Sequence, residues 1–436
     1  MKATVIDKEL VDKTIRDNGF KNVGDASIRE VQKLINDIEQ ASGKKFIRME
    51  MGIPGLPAAK IGVESQIKAL ESGVAAIYPP VGGIPELKPE ISRFVKNFIG
   101  VDVSAAGCIP TVGSMQGTLA AFLTIGHARK DKNTTLFIDP GFAVHKHQHK
   151  CLGVPFESFD VYNFRGEKLR EKLESYLKKG NISSIFYSNP NNPSWICLTD
   201  EELRIIADLA RKYDVIVMED LAYFGMDFRQ DISTPGVPPY QPSVAQYADN
   251  YILFISSSKA FSYAGERLGM MVISDKLYHK EFPDLSTYYN SIQFGHTMIF
   301  GTLYCLSSGT THSVQHAMMG ILKACNEGRY NFVKETRIYG EKARAMKKHF
   351  LDNGFFLPYD KDVDKDLSDG FYFTVGYPGM TSDQLLHNLI YFGVSAISLG
   401  STGSERSGIR ACVSLVPVED IPELGVRLKA FHEYFA

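Results

Sequence analysis

A lysine stands where an apolar strand should leave its sheet. The stretch YILFISSSKAFSYAGERLG, Tyr251 to Gly269, passes from strand-type residues through three serines to Lys259, with Arg267 eight positions further on. Upstream, VIVMED ends in Glu219 and Asp220 with Tyr223 just beyond. IFYSNPNNP delivers Asn189, Asn191 and Asn192, and LFIDPGFAVH delivers Phe142 and His145. A lysine amine that is neutral part of the time attacks carbonyl carbon to form a Schiff base, and partial burial or a neighbouring positive charge lowers its pKa to that end. A carboxylate beside a protonated ring nitrogen keeps a heteroaromatic ring electron-poor. Hydroxyls, a guanidinium and a helix start hold phosphate.

Singly, each residue has an ordinary reading: Lys259 as a solvated lysine, Asp220 as a helix cap, Asn192 as turn chemistry before Pro193. Together, an amine, a carboxylate and an aromatic ring are what pyridoxal phosphate requires. Ser256, Ser258 and Arg267 offer its phosphate two hydroxyls and a cation, and VGSMQGTLAAFL adds a glycine, a serine and a helix start. The chain has no G-x-x-x-x-G-K-[ST], so an ATP-type phosphate loop is not indicated.

The elements that must position these residues are legible as apolar runs alternating with helical patterns between about 110 and 275. The runs TTLFIDP, SSIFYSNP, DVIVMED, YILFISSS and GMMVIS read as buried strands of a mostly parallel sheet covered by helices, where ligands bind beyond the carboxyl ends. LTDEELRIIADLARKY carries a capping box, Thr199 with Glu202. Residues 1–50 read as an N-terminal arm and polar helices, with a helical repeat after Asp25, and 51–315 as the large domain. Residues 316–436, with a long helix from about Glu327 to Asn353, read as a smaller α+β domain completed by the N-terminal segment. The predicted class is thus α/β, a mixed sheet between helices plus a smaller domain from both chain ends.

Composition excludes several function classes. Of 436 residues, 48 are Lys or Arg and 50 Asp or Glu, so no global field draws the chain to nucleic acid or an anionic membrane. The start, MKATVIDKEL, has no apolar signal core, and no apolar run approaches spanning length. Six scattered cysteines without CxxC spacing argue against zinc and a disulfide framework. In HKHQHK, alternate spacing on a strand would put His145, His147 and His149 on one face, but no cysteine or carboxylate completes a metal set. The reading is no metal, with His147 and His149 on the surface of a cytoplasmic protein.

From about Tyr78 to Arg410 these motifs, in order, resemble the class I/II aminotransferases of the fold-type I pyridoxal-phosphate enzymes, the aspartate aminotransferase superfamily. The resemblance rests on S-x-x-K with an arginine eight residues on, on NPNNP, and on the D-x-x-Y of Asp220 and Tyr223. It implies that Lys259 carries the cofactor as an aldimine and later moves the proton between the substrate Cα and the cofactor. Asp220 would bind the pyridine nitrogen with His145 behind it, Tyr223 and Asn192 the 3-oxygen, and Phe142 would stack on the ring. Ser114, Met115 and Gln116 would line the phosphate beside Ser256, Ser258 and Arg267. Tyr78 would reach the phosphate of a neighbouring subunit, implying a homodimer with shared sites. Arg410, in SGIRACVSL, would grip the substrate α-carboxylate; Arg406 is the competing candidate, and Arg410 is preferred because it opens a strand-like run.

The implied activity moves an amino group between an L-amino acid and a 2-oxo acid by a ping-pong mechanism. Gln293 and Met115 stand where members specific for dicarboxylates carry cations, which favours a neutral or aromatic side chain. Trp195 replaces the usual small residue after Asn-Pro-Ser and leaves the loop at Asn192 open. The motifs do not fix which bond breaks, so a C–S β-lyase or an aminocyclopropane-carboxylate-synthase-like enzyme is the alternative. A non-catalytic cofactor-binding sensor is disfavoured, because the N-terminal segment is too short and insufficiently basic for a separate DNA-binding domain.

Overall fold

The computed structural model describes residues 4–436, and the first three residues of the N-terminal arm lie outside the described residues. The chain divides into two compact units. The larger comprises Leu56–Asn191 and Cys197–Thr336, and the smaller Met1–Gly55, Asn192–Ile196 and Arg337–Ala436.

The larger unit is built on seven strands: β1 (Cys108–Val112), β2 (Thr134–Asp139), β3 (Phe156–Asp160), β4 (Ile182–Ser188), β5 (Ile216–Leu221), β6 (Tyr251–Ser256) and β7 (Leu268–Ile273). Their order across the sheet is β1-β7-β6-β5-β4-β2-β3. All neighbours from β6 to β3 are parallel, and β7 is antiparallel to both β1 and β6. This is the mostly parallel mixed sheet that the apolar runs predict. Strands β2, β4, β5, β6 and β7 are buried along their whole length, as strands covered on both faces must be. On one face, helix Gly113–Ala128 sets Phe122 and Ile125 into one core with Phe137, Phe186, Met218 and Phe254.

With β7 alone reversed, β1, β2, β4, β5 and β6 deliver their carboxyl ends to a single edge. Register then fixes the neighbours there. Ser188 lies opposite Asp220, Asp220 opposite Phe254, and Gly269 between Thr111 and Ser256. Side chains alternate along β5, so Asp220 and Glu219 face opposite sides of the sheet.

Helix Asp200–Lys212 starts on the anticipated capping box. Its Glu202 also receives Arg165 Nε at 2.6 Å and the Gly166 N–H at 2.9 Å, partners that a fully buried carboxylate requires. The long helix read from about Glu327 to Asn353 starts later, at Phe332, and runs unbroken to Asp352. Helix His312–Asn326 packs on Lys60–Glu71 and Leu87–Ile99, and the chain turns at Gly328 (φ +70°) before helix Phe332–Asp352 begins. A left-handed residue ends a helix readily when it is glycine.

In the smaller unit, β8 (Tyr372–Val375), β9 (Ile397–Ser398) and β10 (Ile409–Cys412) form an antiparallel sheet with β10 central. Near the other chain end, Ile47–Arg48 pairs with Val394–Ser395. Helix Ile28–Ser42, capped by Ser27 with Glu30 rather than by Asp25, buries Val31, Leu34, Ile35 and Ile38 at helical spacing. Among the described residues, no helix is long and apolar enough to cross a membrane.

Candidate active site

Lys259 lies in the four-residue helix Ser257–Ala260 directly after β6, half-buried, with Nζ 5.8 Å from the centroid of the Tyr223 ring. Ser256 caps this turn: its Oγ accepts the Ser258 N–H at 3.1 Å. The Ser257 hydroxyl donates to the carbonyl of Leu268 at 2.6 Å, tying the lysine turn to the start of β7. Arg267, just before β7, therefore arrives at the corner where β1 ends and helix Gly113–Ala128 begins.

That corner has the features of an anion cradle. The helix start presents N–H groups and the positive end of its dipole. A Cβ on Gly113 would come within 2.8 Å of Arg267 Nη2, so the guanidinium sits against the helix start. A Cβ on Gly269 would come within 2.7 Å of the Ser114 nitrogen, so β7 approaches the same turn closely only because position 269 is glycine. The Ser114 hydroxyl is buried without a protein partner, a condition natural structures rarely leave unexplained. Arg267 itself is held by Nη1 donating to Ala264 O at 2.7 Å and is otherwise exposed. Gln116 has a structural part: its Oε1 accepts the Val112 N–H at 2.8 Å and its Nε2 donates to Ser307. Met115 gives its carbonyl to Gln148 at 2.9 Å.

Asp220 ends β5, buried, with Oδ1 accepting the Ala222 N–H at 3.1 Å and Oδ2 3.6 Å from His145 Nε2. The His145 ring is set by Phe186, Phe142 edge-on at 5.5 Å, and Gln148 on its Nδ1 side. HKHQHK is not a strand. It lies in helix Ala143–Leu152, where His145 and His149 share the buried face and His147 is exposed. His149 is therefore core, not surface. Burial pushes its pKa down to about 4, which keeps it neutral, and its Nδ1 lies 3.1 Å from the His145 carbonyl. Among the described residues no group of His, Cys, Asp or Glu is arranged to hold a metal ion.

Glu219, on the other face of β5, was not singled out by its spacing. Its carboxylate accepts from the Ser243 hydroxyl, from the Val244 N–H at 3.1 Å and, at a long 3.4 Å, from Asn189 Nδ2. Burial raises its pKa from 4.5 to about 7, against the lowering effect of those hydrogen bonds. The folded state thus holds the proton more tightly than the unfolded chain. The resulting stabilisation is full below about 4.5 and is lost as pH rises through about 7. The whole effect is on the order of 3 kcal/mol. We expect the thermal midpoint to fall between about pH 5 and about pH 8, and Glu219→Gln to flatten that slope in calorimetry.

In the smaller unit, Arg410 opens β10 almost fully buried. Its Nη2 donates to the Glu50 carbonyl at 2.5 Å, its Nη1 to Asn192 Oδ1 at 3.3 Å, and its guanidinium carbon lies 4.4 Å over the Tyr372 ring. Its Nε is a buried donor without a protein partner. Arg406 instead stands 5.8 Å over Tyr359 and is less buried. Glu50 is fixed in turn, with its fully buried carboxylate 2.7 Å from Arg48 Nη2 and receiving the Ser395 hydroxyl at 2.5 Å. A fixed guanidinium with an unsatisfied donor suits a carboxylate ligand.

The profile of the family described as "Aminotransferase class I and II" matches residues 45–424. The chain belongs to this family. An LL-diaminopimelate aminotransferase of Aquifex aeolicus is 29% identical over 405 residues, 90% of this chain and 92% of the relative. A probable aspartate aminotransferase of Methanocaldococcus jannaschii is 26% identical over 339 residues, 77% of this chain and 82% of the relative. The solved aspartate aminotransferase of Thermotoga maritima superposes with a TM-score of 0.76 at 17% identity, covering 97% of this chain and 99% of that one, and so shares the fold.

In this aminotransferase, the larger unit thus gathers Lys259, Asp220, Tyr223, His145, Ser114, Ser256 and Arg267 at one sheet edge, and the smaller gathers Arg410 and Asn192. Tyr78 stands apart, 90% exposed. Trp195 is buried in the smaller unit with a left-handed backbone (φ +66°), which costs a non-glycine residue about 1–2 kcal/mol. Glu50 and Tyr372 carry no signal in their own stretches. Both are found only through Arg410.

Proposed function

We propose that the aminotransferase uses pyridoxal phosphate held at the carboxyl edge of the sheet, and that it moves an amino group between an L-amino acid and a 2-oxo acid. The observation that carries this is the cradle of Gly113, Ser114 and Arg267, whose buried hydroxyl lacks a partner, at the edge that also carries Lys259 and Asp220. Bound there, the cofactor would supply an electron sink for the charge left on Cα when its proton departs. Every other task falls to side chains.

Lys259 Nζ would be the amine that anchors the cofactor and the base that carries the Cα proton. Asp220 holds a positive charge on the ring nitrogen, and His145 packs behind it. Tyr223 would donate to the 3-oxygen, and Phe142 would cover the ring. Ser114, Ser256, Ser258, Arg267 and the N–H groups of Met115 and Gln116 hold the phosphate. Arg410, in the smaller unit, would hold the amino acid by its α-carboxylate. Amino acid and oxo acid use the same groups in alternation, so the kinetics are ping-pong.

For the side chain, Met115 and Gln293 are neutral; Gln293 lies 3.3 Å from His279 Nδ1. Neutral or aromatic donors are therefore favoured over aspartate. Tyr78 at 90% and Ile77 at 57% exposure suit burial by a second copy of the chain, as a homodimer. A panel of amino donors against 2-oxoglutarate and pyruvate tests the reading. A neutral or aromatic amino acid should give the highest kcat/KM, with turnover strictly dependent on the oxo acid. Pyruvate and ammonia released from a cysteine thioether without any acceptor would contradict it.

A further inference from the structure

We propose that Trp195 is a positioning residue for the substrate carboxylate: it braces Tyr372, and through Tyr372 the guanidinium of Arg410. This rests on the assignment of the α-carboxylate to Arg410 and adds to it a residue that acts at one remove.

Trp195 is the single tryptophan of the chain, and it occupies a left-handed turn that glycine would adopt without strain. Its indole is buried, and two of its contacts bear on Arg410. Nε1 donates to Ser368 Oγ at 3.0 Å, and the ring meets Tyr372 edge-on, with centroids 6.1 Å apart at 74°. The face of Tyr372 lies 4.4 Å from the guanidinium carbon of Arg410. Two glycines are shaped to this stack. A Cβ on Gly370 would come within 2.1 Å of the indole, and one on Gly52 within 1.9 Å of the Tyr372 hydroxyl. Gly52 follows by two residues the Glu50 whose carbonyl accepts Arg410 Nη2.

The guanidinium is thus held on three sides, by the Glu50 carbonyl, by the Asn192 amide oxygen and by the Tyr372 face. Trp195 bears on two of these, as the brace of Tyr372 and as the residue three places after Asn192. Tyr372 and Trp195 also line a cleft of about 670 Å³ within the smaller unit. A tyrosine released from the indole has space into which to tilt, and a tilt moves the surface on which the guanidinium rests.

The test uses the holoenzyme and 3-phenylpropionate, a carboxylate without an amine, with binding measured by calorimetry. Trp195→Gly suits the backbone, and Trp195→Phe keeps the ring edge while losing the N–H. Ser368→Ala removes the acceptor, and Arg410→Lys marks the loss of the carboxylate grip. We expect Trp195→Gly to weaken binding by about tenfold, with Trp195→Phe and Ser368→Ala at about two- to fivefold. In turnover, KM for amino and oxo acid should rise together while kcat changes by less than about threefold, the pattern of lost uniform binding. If Arg410→Lys loses binding while Trp195→Gly retains it, the role of Trp195 is overturned and the carboxylate assignment stands. If Arg410→Lys binds as wild type does, the assignment fails and takes the proposal with it. Should Trp195→Gly not fold, unchanged binding in both Trp195→Phe and Ser368→Ala overturns the proposal.

Discussion

Lys259→Ala is expected to lower the rate of transamination by at least roughly 10⁴-fold, because it removes two functions at once. On the proposed assignment the lysine is both the nucleophile that anchors the cofactor and the group that moves the Cα proton, and general acid–base catalysis alone contributes about 10²–10⁴-fold. The fold should tolerate the change. Lys259 is half-buried on a four-residue turn secured by its neighbours, through Ser256 Oγ to the Ser258 N–H and Ser257 Oγ to the Leu268 carbonyl. A thermal midpoint close to wild type together with lost turnover is the expected pair of results. A variant that keeps turnover would remove Lys259 from the mechanism.

Arg410→Lys should have the second largest effect, on binding. The guanidinium makes two directed bonds at fixed angles, to Glu50 O and Asn192 Oδ1, and still has the buried Nε to offer. An ammonium is a point charge and cannot reproduce that fork. Breaking the directed hydrogen bonds of a buried charge pair costs at least about 2 kcal/mol, so KM for amino and oxo acid should rise by at least roughly 30-fold. The loss should be shared by donors of every side chain, since all present the same α-carboxylate. A defect confined to dicarboxylates would instead place Arg410 at the distal acid.

What could be read from the sequence follows from how a buried parallel sheet is written. Apolar runs covered on both faces leave polar residues only where a strand emerges, so Asp220, Asn192 and Lys259 marked the exits of β5, β4 and β6 without any knowledge of pairing. The order of the strands was not legible, because register between segments far apart is set by packing of the whole unit. Glu50 illustrates the same limit. Its carboxylate is held by Ser395, 345 residues away, and no local pattern encodes that meeting.

The histidine stretch was misread for a more local reason. Residues i and i+4 share a face in a strand and in a helix alike, so His145 and His149 agree with either; only His147 discriminates, and it is exposed. Trp195 was visible as a departure from the family's pattern. Its role was not, since that depends on Gly370, Ser368 and Tyr372 being brought beneath it. Glu219 and Asp220 are adjacent in sequence but face opposite sides of β5, and only the structure separates the carboxyl hydrogen-bonded to Ser243 and Val244 from the one beside His145.

The most direct measurement is to reduce the holoenzyme with borohydride, digest it and locate the cofactor by mass spectrometry. The adduct should lie on the peptide containing Lys259 and nowhere else. An adduct on another lysine, or a protein that takes up pyridoxal phosphate and yields no adduct at all, would contradict the assignment of this chain's chemistry to the turn after β6.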